Sequence, residues 1–250
     1  MTKHMLVSGL VAGLVVALLA TLLQFAFLEQ GILLAERYET GELTHFAGLE
    51  TGAGHDHAAT ETAPETAATD APATAHHHDH GTEEAEPFWQ RQAKTLLSMI
   101  VTYGGYGLVL VAGLALAGHY DRAVTPAQGL LWGLAGFAAF SLAPAMGLEP
   151  ALPGVEAADL ASRQGWWALC AAATVVGLAL IAYGTGVLPR VAGVILLALP
   201  HIIGAPHLAE FTGILPPELS ARHAARSLGV GLIAWVTLGY VAQSLWSRPA

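Results

Sequence analysis

About six long apolar runs, parted by loops that hold most of the charge, limit what this chain can fold into. The runs cover about residues 5–28, 94–117, 128–148, 165–183, 187–203 and 227–245. Roughly 20 apolar residues span a bilayer core as helix. Backbone polar groups in lipid must be satisfied within the segment, which favours helices. The chain is 54% hydrophobic and 12% charged, against about 25% charged in soluble domains. The expected fold is therefore all-α: a polytopic membrane protein with about six transmembrane helices and one long disordered His-rich loop.

Three regions follow. Residues 1–40 form the first transmembrane helix with an extramembrane extension. Residues 41–87 are an acidic His-rich loop. Residues 88–250 form a five-helix transmembrane region. The first run follows Lys3 but exceeds the 7–15 residues or so of a signal h-region and lacks a small-residue cleavage site, so it reads as a retained span. Gly9 and Gly13 give it a G-x-x-x-G face for close helix packing. Gly104, Gly105, Gly107 and Gly113 thin the second run, and Gly129, Gly133 and Gly136 recur at helical spacing in the third. Trp166 and Trp167 open the fourth and fit an interfacial aromatic belt.

The loop explains the net charge of −9. It is rich in Ala, Thr, Glu, Gly, Pro and Asp and too poor in large apolar residues to fold alone, which predicts disorder over about 48–86. It carries His55-Asp56-His57 and His76-His77-His78-Asp79-His80. Histidine tracts in an acidic background read as metal capture, and imidazole suits Co, Ni, Zn or Cu.

The most informative stretch is 196–207, Leu-Leu-Ala-Leu-Pro-His-Ile-Ile-Gly-Ala-Pro-His. Pro200 cannot donate to the ladder and frees the carbonyl of Leu196. Pro144 does the same for Phe140. Short, Gly/Pro-interrupted apolar segments point to transporter sites. The expectation is a backbone that opens within this stretch and turns His201 toward a wet interior; only a break at Gly204 to Pro206 brings His207 near it. Glu36, Tyr38 and Glu39 cluster at the mouth of the first span, where Glu36 and Glu39 can receive a cation. The bland alternatives are a kinked helix end and a solvated one.

Several classes are excluded. Cys170 is the single cysteine, so no disulfide or thiolate metal site forms within one chain, and it reads as a small packed apolar residue. Lys3 and Lys94 are the only lysines, so there is no Walker A loop. No basic patch invites nucleic acid. No nucleophile or acid–base constellation stands out, so the chain is not read as an enzyme, and no permanently bound cofactor is expected. With the N-terminus in the cytoplasm, Lys3, Arg122, Arg190 and Arg248 lie inside, the histidine tracts outside.

Together these pieces resemble the CbtA family of predicted cobalt transporter subunits. They are Ala35-Glu36-Arg37-Tyr38-Glu39, Pro150-Ala151-Leu152-Pro153-Gly154, Glu156-Ala157-Ala158-Asp159-Leu160, Arg163-Gln164-Gly165-Trp166-Trp167 and Pro200-His201-Ile202-Ile203-Gly204-Ala205-Pro206. Their order covers nearly the whole chain outside the histidine loop, which looks like an elaboration. The resemblance implies cobalt uptake for bacterial cobalamin synthesis in the cytoplasmic membrane, with a small single-span CbtB-like partner. It adds weight to His201 and His207 as metal-site residues. Nickel or zinc as cargo, homo-oligomerisation, and a metal-binding sensor or assembly subunit that does not itself conduct stay open.

Overall fold

The computed structural model describes residues 2–45, 87–120, 124–209 and 213–248. The predicted disorder over 48–86, with both histidine tracts, lies outside these residues.

Among them the fold is helical throughout. Helix α1 is Thr2–Phe27 and α2 Glu29–Glu39; α3 is Phe88–His119. The third span is built from α4 (Pro126–Phe137), a π-helical turn (Ala138–Leu142) and the short α5 (Ala143–Ala145). Then come α6 (Leu160–Tyr183), α7 (Val187–Ile203) and α8 (Pro217–Trp246). Five helical spans are long and apolar enough to cross a membrane, and α7 is a shorter apolar helix.

Local chemistry starts and bends these elements. Thr125 and Gln128 form a reciprocal capping box before α4, and the Asp159 carboxylate accepts from Ser162 N–H at 2.9 Å to start α6; both satisfy helix donors that have no partner inside the helix. The π-helical turn ends one residue short of Pro144, with Ala143 between them. There the Ala143 N–H reaches back to the carbonyl of Ala138, one residue further than an α-helix allows. Such a turn absorbs the break that proline makes in the ladder.

Helix association in lipid draws on close packing more than on a hydrophobic drive. Three helix pairs meet glycine to backbone. A Cβ on Gly13 of α1 would lie 2.5 Å from the carbonyl oxygen of Tyr103 on α3. One on Gly129 of α4 would lie 2.6 Å from that of Gly239 on α8, and one on Gly193 of α7 2.6 Å from that of Gly177 on α6. The buried centre joins α1, α3, α4 and α8 through Val16, Val111, Leu114, Phe137, Trp235 and Leu238. Phe140, beside the bend, stacks on Trp235 with ring centroids 5.5 Å apart.

The spans alternate in direction. His4 of α1 meets the carbonyl of Trp246 at 3.2 Å, which brings the first and last helices together at one end. At the other end Ala35 of α2, Leu152 of the 146–159 loop, and Leu215 and Leu219 around the start of α8 form a second apolar cluster. This cluster is a cap over the helix ends, and the candidate residues lie around it.

Candidate functional site

Helix α7 has 17 residues, about 26 Å at 1.5 Å per residue. That falls short of a hydrocarbon core of about 30 Å. The helix runs through Pro200 and His201 to Ile203, so the backbone opens after His201, not at the proline. The break comes at Gly204, whose φ of +86° is a conformation that side-chain-bearing residues rarely adopt. The carbonyls of the last turn end without helical donors and carry the negative end of the helix dipole. Cation-coordinating sites in transporters use such helix ends.

Pro200 is buried. Its carbonyl accepts from the Gly204 N–H at 3.0 Å and from the Trp166 indole N–H at 3.1 Å. Trp166 is 7% exposed, so the aromatic-belt reading does not hold for it. Its ring meets the His201 imidazole edge-on at 6.0 Å between centroids. A Cβ on Gly147 would lie 2.7 Å from the Trp166 ring and 2.8 Å from Ala205, so the indole is wedged between the end of the third span and the turn after α7. Trp166 thereby fixes the peptide that carries His201. His201 is half-buried; His207, past the break, is exposed.

The mouth carboxylates are held apart from this corner. Glu36, half-buried, receives both ends of the Arg91 guanidinium, one contact at 2.9 Å. Gln92 donates to Glu29 about two helical turns earlier. These contacts tie α2 to the start of α3. Glu39 is exposed and lies against Gly154, where a Cβ would stand 3.2 Å from its own. Beyond it, Arg37 pairs with Glu42 at 2.9 Å, and that hydrogen bond holds the Glu42 carboxyl below its ordinary range. No group of three or more His, Cys, Asp or Glu side chains comes together among the described residues. His201, His207, Glu36 and Glu39 are therefore not gathered into one three-ligand site. His55, His57, His76, His77, His78 and His80 lie outside the described residues.

Sequence reasoning missed His223. It stands in the first part of α8, its Nε2 3.3 Å from Ser227 Oγ. Its Nδ1 is buried with no partner among the described residues. The face pairing His223 with Ser227 continues to Gly231, where a Cβ would sit 3.9 Å from Ser141 Oγ in the π-helical turn. The signal was polar residues at i, i+4 on a helix with arginines on another face.

These helices define a multi-pass helical membrane protein. The chain belongs to the CbtA family: the family model, described as a probable cobalt transporter subunit (CbtA), matches residues 2–247. The family points away from enzyme activity, and the word subunit implies partner proteins. Searches of curated proteins and of solved structures find no match.

Proposed function

We propose that this chain is the membrane subunit of a divalent transition-metal importer whose cargo is cobalt for cobalamin biosynthesis. The family match across residues 2–247 carries the reading. It sits in a bacterial cytoplasmic membrane with its N-terminus inside and the histidine loop outside, and it works with a small single-span CbtB-like subunit.

In this reading the loop histidines collect the ion, and Glu39 and Glu36 receive it at the mouth. Arg91 competes for Glu36 and keeps that station weak. Conduction needs weak, multiple sites, because an ion held tightly does not leave. His201, at the negative end of the short α7, and the half-buried imidazole of His223 then take the ion as it sheds water. Imidazole, carboxylate and carbonyl together suit Co²⁺, and Ni²⁺ and Zn²⁺ are close competitors.

Radioactive cobalt uptake in cells lacking other importers tests this. His201→Ala should abolish or strongly reduce uptake at unchanged membrane abundance; unchanged uptake removes His201 from the path.

A second reading rests on the lack of an assembled ligand cluster among the described residues: a sensor or assembly subunit that binds metal but does not conduct. Deleting 50–85 separates the two. An importer loses uptake at low metal and keeps flux at high metal. A sensor loses its response and shows no flux in proteoliposomes in either form.

A further inference from the structure

Three arginines converge on one groove between α2 and α8. Gln30, Gly31, Leu33, Leu34 and Arg37 of α2 form one wall, Arg222 and Arg226 of α8 the other, around a space of about 450 Å³. Its depth in the membrane is fixed by one bond: Arg226 donates to the carbonyl of Phe27, the last residue of α1, at 3.1 Å. The guanidiniums therefore stand where the first span leaves the hydrocarbon. Beside them Phe27 and Leu33 are 50% and 43% exposed, an apolar surface open to the side.

The charge is unbalanced. Glu42 pairs with Arg37, and Glu218 lies near Arg222 in the adjoining hollow. Neither Arg222 nor Arg226 has an ion-pair partner among the described residues. Guanidinium offers a planar fork of donors matched to phosphate oxygens. Guanidiniums at headgroup depth therefore suit the phosphate of an anionic lipid. Three guanidiniums make the groove itself a site for an anion, not for a metal cation.

We propose that the α2–α8 groove binds the phosphate headgroup of an anionic phospholipid, with Arg222, Arg226 and Arg37 on the phosphate and Leu33 along the glycerol and upper acyl chain. The bound lipid ties the amphipathic α2 to α8 and steadies the cap.

The test is lipid binding to the purified full chain in neutral detergent, read by native mass spectrometry and by thermal shift. Phosphatidylglycerol should bind at least about tenfold more tightly than phosphatidylcholine. Arg222→Gln should weaken phosphatidylglycerol about fivefold, the size expected for one basic residue at an anionic surface, while its melting point without lipid stays that of the wild type. Arg222→Lys, which keeps the charge, should retain most of the preference. Equal affinity for the two lipids, or an unchanged preference in Arg222→Gln and in Arg37→Gln, overturns the site. Inorganic phosphate displacing the lipid at equal concentration assigns the groove to free phosphate instead, and displacement by an equimolar acidic peptide assigns it to a protein partner; either overturns the lipid.

Discussion

The indole N–H of Trp166 donates to the carbonyl of Pro200 at 3.1 Å, joining residues 34 apart in sequence at the level where α7 ends. Trp166→Phe keeps the ring's bulk but removes the donor. The Pro200 carbonyl keeps its Gly204 bond, so the stability cost should be modest, about 1 kcal/mol. Cobalt uptake should fall by a larger factor than protein abundance, because the peptide carrying His201 loses its anchor. Thermal unfolding in detergent beside uptake checks this; uptake that merely tracks abundance gives Trp166 a structural role only.

Glu36 and Arg91 form a bidentate pair with side chains 34% and 37% exposed. A pair this open contributes at most about 1 kcal/mol. Its removal should leave the fold intact and change ion binding with opposite signs. Arg91→Ala frees the carboxylate and should tighten cobalt at the mouth, while Glu36→Gln should weaken it. Isothermal titration of the chain lacking 50–85 isolates this site from the histidine loop. The same direction of change in both variants would take Glu36 off the path.

Gly13 and Gly105 make a matched pair of tests. A Cβ on Gly13 would stand 2.5 Å from a backbone oxygen of α3, whereas one on Gly105 meets nothing within 4 Å. Gly13→Ala should therefore push α1 from α3 and cost about 1–3 kcal/mol. Gly105→Ala should be neutral or stabilising by a few tenths of a kcal/mol or more, since alanine is the better helix former. Melting temperatures of the two variants in the same detergent separate them.

Acid should weaken the start of α6. The backbone N–H of Ser162, and then its hydroxyl, hold the Asp159 carboxyl below the ordinary value of 3.8. A depressed folded value stabilises the fold fully above the unfolded value and loses that contribution as pH falls through the folded one. Melting temperature should thus drop more in wild type than in Asp159→Asn as pH is lowered from about 5 to below the ordinary carboxylate value. Asparagine still caps the helix but does not titrate. Parallel curves would mean the cap contributes nothing to the pH dependence.

The apolar runs announced the spans because a bilayer demands helix wherever it is crossed. The range 187–203 matched α7 for that reason, and the G-x-x-x-G face of α1 met its partner because small residues have one use in lipid. The edges were less legible. Helices α6 and α8 begin earlier than hydropathy suggests, since Asp159 caps the first and the second opens with polar turns that include Arg222 and His223. The belt assignment of Trp166 failed because aromatics look alike in sequence whether they face headgroups or fill a corner.

From the sequence alone came the membrane class, the spans and an interruption somewhere in 196–207, which the structure puts at Gly204 and not at Pro200: they depend on local hydropathy and on what glycine and proline do to the nearest backbone. Which distant groups meet was decided only by the packed bundle. Arg91 closes on Glu36 across 55 residues, and Arg222 and Arg226 converge with Arg37. Such meetings depend on which helix faces are small enough to approach and how the loops return the chain, and no short window of residues encodes that.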